Sequence, residues 1–158
     1  MADASADKGA EVRFPPPFVF LAFILLGVGL HYLVAPIPQP ESRWIVILGV
    51  LLLVAGAALM AAAVMDFRRT GQEPAPWTPS PVLITRGPYL WTRNPMYLAF
   101  TGLQVGLGLV LGNLWISLLA PLSLAVVHVI AVLPEEAYLT RRFGDSYEEY
   151  RRRVRRYV

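Results

Sequence analysis

The stretch TRGPYLWTRNPMYLAF, residues 85–100, carries two arginines, two prolines and four aromatic side chains directly before a long segment without charge. Gly87-Pro88 predicts a tight turn. Asn94-Pro95 predicts a helix start, because Asn is a favoured N-cap residue and Pro fits the first helical position, where its missing N–H is not needed. The stretch therefore predicts a rigid turn followed by a helix that begins abruptly at a membrane boundary.

The uncharged segments indicate the fold class. Lys, Arg, Asp and Glu are absent from residues 14–40, 44–65 and 94–134. Each of the first two segments can hold one membrane helix of about 20 residues, and the third is long enough for two. Gly112-Asn113 is a plausible turn between those two. We predict an all-α integral membrane protein with about four transmembrane helices, at residues 18–35, within 44–65, and at 96–111 and 114–133 as a tight hairpin.

Composition excludes several classes of protein. Of the 158 residues, 56% are hydrophobic, and the mean hydropathy of +0.51 is too high for an ordinary soluble domain. Cysteine is absent, which excludes a disulfide framework and thiol chemistry, and two histidines make a metal site unexpected. The first apolar segment is long and ends in PIPQP, so we interpret it as a membrane helix rather than a cleaved signal peptide.

The arginines predict the orientation. The loop at 36–43 carries only Arg43 and the Gly112-Asn113 turn carries none, whereas the other side has Arg68, Arg69, Arg86, Arg93, Arg141, Arg142 and the C-terminal tail. Because cytoplasmic loops are enriched in Lys and Arg, both termini and the 66–95 loop should be cytoplasmic. The pI of about 9.5 then reflects a face turned towards anionic lipids. No nucleic-acid partner is expected, because a soluble basic domain is missing.

A second informative stretch is LPEEAYLTRRFGDSYEEYRRRVRRYV, residues 133–158. Glu135 and Glu136 directly follow the last apolar segment, where a carboxylate needs a partner: Arg93, Arg141 or a bound cation. Further on, Ser146 and Glu149 have the spacing of a capping box. Aromatic and apolar side chains then recur at helical spacing: Tyr147, Tyr150, Val154 and Tyr157. This pattern predicts an amphipathic cytoplasmic helix that lies on the membrane or folds back over a site.

Two features have alternative interpretations. The helix start beside Arg93 is suited to bind a carboxylate or phosphate, but Arg, Trp and Tyr are also frequent wherever a helix meets the lipid boundary. His128 lies two helical turns before Glu135, so it either lines a tunnel or hydrogen-bonds a neighbouring helix. Gly102 and Gly106 form a G-x-x-x-G pattern, for which we predict close helix packing.

Together the two stretches, with the apolar hairpin between them, resemble the membrane methyltransferases typified by isoprenylcysteine carboxyl methyltransferase and phospholipid N-methyltransferases. In these families a GPY-x-x-x-R-[HN]-P-x-Y segment precedes the hairpin and an EE-x-x-L-x-x-x-FG-x-x-Y-x-x-Y segment follows it, and both are present here. The resemblance covers about residues 66–158, a predicted methyltransferase core. Residues 1–14 are expected to form a disordered cytoplasmic tail and residues 15–65 two transmembrane helices.

The resemblance implies S-adenosylmethionine as methyl donor, bound at the cytoplasmic side between the two segments, and a lipid or lipid-linked acceptor that enters from the bilayer. It implies no metal. The cofactor-binding residues would be Gly87, Tyr89, Arg93, Asn94, Pro95, Tyr97, Glu135, Glu136, Tyr147 and Tyr150. The implied catalytic residues are Arg93, Glu136 and Arg153, and His128 and Arg141 would line the acceptor tunnel.

Individual roles follow from the same resemblance. Arg93 and the helix start would hold the donor carboxylate, Glu135 or Glu136 its cationic or hydroxyl groups, and Tyr89 and Tyr97 its adenosine or sulfonium. Arg153 or Arg141 would hold an anionic acceptor.

Asn94 stands where many carboxyl methyltransferases have His, and Ala99 where they often have Gly, as in many bacterial relatives. We therefore expect a bacterial cytoplasmic membrane protein whose acceptor is a carboxylate or a phospholipid amine. The alternatives are a small hydrophobic thiol or amine as acceptor, or a non-catalytic binding or scaffold protein.

Overall fold

The computed structural model describes residues 9–12 and 14–157, and their regular elements are helices. A 3-10 turn, Gly87–Leu90, precedes the third long helix, and a π-helical turn, His128–Val132, interrupts the last one. The α-helices are α1 Pro16–Leu33, α2 Arg43–Arg69, α3 Pro95–Val110, α4 Leu114–Leu118, α5 Ala120–Val127, α6 Leu133–Phe143 and α7 Asp145–Arg153. The predicted all-α membrane class is confirmed.

Among the described residues, three helical segments are long and apolar enough to cross a membrane: α1, α2 and the run Leu114–Phe143, which contains α4 to α6. The apolar helix α3 has 16 residues, which is about 24 Å of helix against a hydrocarbon core of about 30 Å. The count of four transmembrane helices therefore stays a prediction. The last run continues past the predicted end at residue 133, so the acidic pair lies inside a helix.

The start of α3 is at Pro95, as predicted, but the side chain of Asn94 does not cap it. Its Nδ2 instead donates a hydrogen bond to the carbonyl of Arg156, at 3.0 Å. The Asn94 side chain is thus anchored by a tertiary contact through its nitrogen, and its oxygen closes no cap. The predicted capping box is wrong for a different reason: α7 begins at Asp145, two residues too early for Ser146 to be its N-cap, because Gly144 takes a positive φ of 53° and ends α6 there.

Close packing of α2 against α3 forms the centre of the bundle. A Cβ placed on Gly106 would lie 2.7 Å from the carbonyl oxygen of Gly49, and one on Gly56 would lie 3.1 Å from that of Ala99. Small residues let helix backbones approach in a membrane, where apolar burial gives little driving force. The predicted packing role of the G-x-x-x-G pattern is confirmed at Gly106, whereas Gly102 is less tightly packed, with its nearest contact at 3.9 Å.

Helix α7 folds back onto the protein, which is one of the two placements that its amphipathic pattern allows. Tyr147, Tyr150 and Val154 are buried in one cluster with Leu83, Leu139 and Phe143. The helix ends at Arg153, so Tyr157 does not continue its apolar face as the spacing predicted. From Val154 the backbone is extended and forms a parallel β-bridge between Arg155 and Thr92.

The predicted disordered tail at residues 1–14 falls partly outside the described residues, since these omit 1–8 and 13. Ala10 and Val12 are buried, and the N–H of Ala10 donates to the carbonyl of Pro76 at 2.9 Å. The disordered tail stays a prediction. Within residues 9–12, the backbone bond of Ala10 reaches the loop after α2, and the side chains of Ala10 and Val12 belong to the core cluster that includes Phe20 and Tyr97.

Gly106→Ala should destabilise the bundle, because the new methyl would meet the Gly49 backbone, which cannot move without separating α2 from α3. We expect a loss of about 1–3 kcal/mol in the free energy of unfolding, measured as a lower thermal midpoint in detergent. Gly29→Ala is the matched control, since its added Cβ has no neighbour within 4 Å. Equal midpoints for both variants would contradict this packing.

Candidate active site

A carboxylate held by two arginines joins three distant segments. Glu136, on α6, has a side chain 11% exposed, and its Oε1 lies 3.0 Å from Nη1 of Arg93, whose side chain is 10% exposed. Arg156, near the C-terminus, donates to the same carboxylate through Nε at 2.9 Å and Nη2 at 2.7 Å. These bonds raise the pKa of Arg156. With two cations on one anion, the cluster keeps a net positive charge that favours a second anion.

Arg93 retains unused hydrogen-bonding capacity. Its Nε and Nη1 atoms are buried and have no hydrogen-bond partner among the described residues, although Nη1 is within ion-pair distance of Glu136. Its backbone N–H donates to the carbonyl of Arg155 at 2.9 Å, which fixes the main chain beside the C-terminal tail. A buried guanidinium with free donors is costly unless a ligand or water satisfies it.

Glu135 faces a different direction from its neighbour. The hydroxyl of Tyr97, on α3, donates a short hydrogen bond to Glu135 Oε1. Both side chains line a cavity of about 100 Å³, here called the inner cavity, which Arg93 also lines. The two consecutive glutamates therefore have separate tasks, one bound to the arginines and one open to the cavity.

The inner cavity collects most of the predicted cofactor-binding residues. Its lining includes Tyr89, Arg93, Asn94, Pro95, Tyr97 and Glu135. Tyr147 and Tyr150 line an adjoining cavity of about 70 Å³, which shares Phe67, Tyr89, Arg93 and Leu139 with the inner one. Glu136 lines neither and contacts the site through Arg93, and Gly87 also lies outside both cavities.

Buried tyrosines surround this space as neutral groups. Burial, with smaller contributions from nearby carboxylates, raises the pKa of Tyr89 well above its ordinary value, and burial raises the pKa of Tyr147 to about 12. The pKa of Tyr150 is raised for the same reason, and its hydroxyl donates to the carbonyl of Tyr89 at 2.7 Å. At neutral pH these phenols donate hydrogen bonds and offer aromatic faces, but they do not act as bases.

A third cavity, of about 290 Å³, opens beside the inner one and is lined mostly by apolar side chains, including Pro16, Trp77 and Phe100. We call it the proline-loop cavity, after the 73–77 segment that forms one wall. It shares Pro74, Met96 and Tyr97 with the inner cavity. Tyr97 thus lies at the boundary between the cavity that Arg93 and Glu135 line and the apolar one.

The residues predicted for the acceptor lie elsewhere. His128 is hydrogen-bonded through Nδ1 to the hydroxyl of Tyr157, at 2.9 Å, so its partner is the C-terminal tail. Arg153 is exposed and pairs with Glu149 at 3.5 Å, and Arg141 is exposed on α6. None of the three lines the inner, adjoining or proline-loop cavity.

Sequence reasoning did not single out Arg156 or Asp66. Arg156 lies in a run of similar arginines, and only the fold shows which of them reaches Glu136. Asp66 had a detectable signal, as the first charge after the second apolar segment. In the described part of the chain, no group of three or more His, Asp or Glu side chains is placed to hold a metal ion.

Two sequence comparisons with known proteins identify the family of this chain. A sequence model of the phospholipid methyltransferase family matches residues 44–146. The protein-S-isoprenylcysteine O-methyltransferase of Schizosaccharomyces pombe (strain 972 / ATCC 24843) is 41% identical over 73 residues, which is 46% of this chain and 31% of the relative. The chain thus spans about a third of the length of that curated relative. Since the family match covers Arg93 and the acidic pair and extends over well more than half of the chain, the protein belongs to the phospholipid methyltransferase family.

Proposed function

We propose that this protein is an integral membrane methyltransferase that uses S-adenosylmethionine and methylates a lipophilic acceptor at the cytoplasmic membrane face. The observation that carries the proposal is Arg93, a buried guanidinium whose Nε has no hydrogen-bond partner among the described residues and which lines the inner cavity together with Tyr97 and Glu135. Family membership supports the transfer of a methyl group.

The residues of the inner cavity fit this donor chemically. S-adenosylmethionine carries a carboxylate, an ammonium, ribose hydroxyls and an adenine. The free Nε of Arg93 and the positive end of α3 would hold the carboxylate. Glu135 would accept hydrogen bonds from the ammonium or a hydroxyl, and the faces of Tyr89 and Phe67 would border the adenine or the sulfonium.

When bound, the donor supplies a sulfonium-activated methyl group, so the protein needs no nucleophile of its own. The task of the chain is alignment, and rigid contacts from the loop before α3 and from α6 suit that task. A carboxylate acceptor is ionised at neutral pH and needs no base. An amine acceptor must lose a proton, and Glu135 is the carboxylate at the inner cavity that can accept it.

The proline-loop cavity supports a lipophilic acceptor. Its apolar walls suit an acyl or isoprenyl chain, and Tyr97 and Met96 lie at its boundary with the inner cavity. The matched relative is named for an S-isoprenylcysteine acceptor and the matched family for phospholipids. Either an isoprenylcysteine-type carboxylate or a phospholipid amine therefore fits this proposal. Arg141, Arg153 and His128 remain candidates for contacting the polar end of the acceptor.

Arg93→Lys tests the donor site. Lysine keeps the charge beside Glu136 and the interfacial anchoring, but it loses the planar fork that grips a carboxylate through two hydrogen bonds. We expect the dissociation constant for S-adenosylmethionine, measured by calorimetry in detergent, to rise about tenfold, or roughly 1.4 kcal/mol. The thermal midpoint without donor should hardly change.

Arg151→Lys is the matched control, because Arg151 forms an exposed ion pair with Glu148, at 2.7 Å, away from the inner cavity. It should bind the donor like the parent. Equal effects of the two substitutions, or none from either, would reduce Arg93 to a lipid-boundary anchor. A parent protein that binds no donor at millimolar concentration would favour a non-catalytic scaffold.

Substitutions of Glu135 and Glu136 should affect different properties, donor binding in the first case and stability in the second. Glu135→Gln removes a charge from the cavity and should weaken donor binding by about 1–3 kcal/mol while the fold survives. Glu136→Gln leaves two arginines without their anion. We expect it to lower the free energy of unfolding by about 2–4 kcal/mol, below the full cost of breaking a buried pair because Arg156 is partly exposed. Paired calorimetry and thermal unfolding measure both quantities, and identical profiles for the two variants would show that the assigned tasks are wrong.

A further inference from the structure

Asp66 is a buried carboxylate at the C-terminal end of α2, in the last turn of that helix. Its side chain is 4% exposed, whereas its two ion-pair partners, Arg86 and Arg69, are 51% and 65% exposed. Arg86 Nε lies 3.3 Å from Oδ1, and Arg69 Nη1 lies 3.5 Å from the same oxygen. The anion is therefore inside the protein while its counter-ions lie at the surface.

The position of Asp66 gives no benefit to its own helix. The carbonyl end of a helix carries partial negative charge, so a carboxylate in the last turn is disfavoured, and burying it adds a desolvation cost. Of the two arginines that compensate this charge, Arg69 belongs to α2 itself and Arg86 lies outside it. Arg86 is in the segment that leads to the candidate active site.

The carboxylate of Asp66 directly supports the turn Gly87–Leu90. A Cβ placed on Gly87 would be 2.1 Å from Oδ2 of Asp66, so the carboxylate oxygen fills the space that any side chain would need. Gly87 also has a φ of 58°, a conformation that residues with a side chain rarely adopt. Arg86, the residue before this glycine, forms the ion pair with the same carboxylate. Two consecutive residues are thus fitted to one anion.

This turn carries the aromatic wall of the inner cavity. The N–H of Tyr89 donates to the carbonyl of Arg86 at 3.1 Å, and its ring packs edge-on against Phe67, with the centroids 6.0 Å apart. Phe67 follows Asp66 on α2 and lines the same cavity. Four residues after Tyr89 the chain reaches Arg93. The contact between Asp66 and the turn Gly87–Leu90 therefore sets the positions of both Tyr89 and Arg93.

We propose that Asp66 is a positioning residue for the donor site: its carboxylate, clamped by Arg86 and packed on Gly87, fixes the turn that presents Tyr89 and Arg93 to the inner cavity. Asp66 itself lines neither the inner nor the adjoining cavity. The inference rests on the proposed function for the identity of the donor, but the clamp itself is a property of the fold.

The test compares Asp66→Asn and a matched pair of arginine variants. Arg86→Gln and Arg69→Gln make the same chemical change on the two counter-ions, yet only Arg86 belongs to the segment that the carboxylate holds. The measurements are the dissociation constant for S-adenosylmethionine by calorimetry, hydrogen exchange of residues 86–93 and the thermal midpoint without donor. Asp66→Asn nearly preserves size and can still pack on Gly87.

We expect Asp66→Asn to raise the dissociation constant five- to tenfold and Arg86→Gln at least threefold, with faster hydrogen exchange in residues 86–93 and midpoints within a few degrees of the parent. Arg69→Gln should match the parent in binding and exchange. If Asp66→Asn does not fold, the comparison of Arg86→Gln with Arg69→Gln tests the proposal instead. Parental exchange and binding in Arg86→Gln, or equal losses in both arginine variants, would overturn the clamp.

The outcome is separable from that of the proposed function. If the parent protein binds no donor, the methyltransferase proposal fails. The exchange of residues 86–93 still reports whether Asp66 holds the turn, because that measurement needs no ligand.

Discussion

The ion cluster of Glu136 with Arg93 and Arg156 is the contact on which the site depends. It ties α6 to the loop before α3 and to the C-terminal tail, three segments that are far apart in the chain. Burying Glu136 and Arg93 is expensive even with the partly exposed Arg156 as a second partner, so such a cluster persists only when its geometry is well satisfied. The bidentate contact from Arg156 satisfies much of the Glu136 carboxylate, and the Nε of Arg93 has no hydrogen-bond partner among the described residues. The ion pair with Glu136 thereby holds the Arg93 guanidinium in place at the inner cavity, where it can bind a ligand.

The remaining architecture keeps this cluster in place at the edge of the bundle. Glycine contacts between α2 and α3 bring the two backbones together, which sets the distance between the ends of those helices. The end of α2 carries Asp66 and Phe67, and the start of α3 carries Tyr97. Helix α7 covers the adjoining cavity with Tyr147 and Tyr150, and the tail after it pairs with Thr92. Polar chemistry is thus concentrated where apolar helices end.

The sequence alone predicted much of this arrangement. Apolar segments separated by charges predicted the starts of these helices to within a few residues, although the last run extends well past its predicted end at residue 133, and Asn94-Pro95 predicted the start of α3. The Glu135–Glu136 pair was expected to need Arg93 or another cation, and Arg93 is a partner of Glu136. These features are local, since they depend on hydropathy, on proline geometry and on the cost of an unpaired charge near hydrocarbon.

What the sequence did not predict depends on tertiary contacts. Asn94 had a local capping role available, but the carbonyl of Arg156 competes for its amide. Arg156 is indistinguishable by pattern from Arg153 and Arg155, and only the extended tail after α7 directs it to Glu136. Ala10 and Val12 pack into a core cluster with side chains from several helices, among them Phe20 and Tyr97. In each case several partners were chemically possible, and the fold selected one.

The most direct measurement for this account is methyl transfer itself. The purified protein would be incubated in detergent with a lipid extract and S-adenosylmethionine labelled in its methyl group, and the lipid fraction would be separated from water-soluble products. The account predicts label in the lipid fraction, released by mild base if the acceptor is a carboxylate and resistant to base if it is an amine. Absence of transfer, or label confined to small water-soluble thiols or amines, would contradict it.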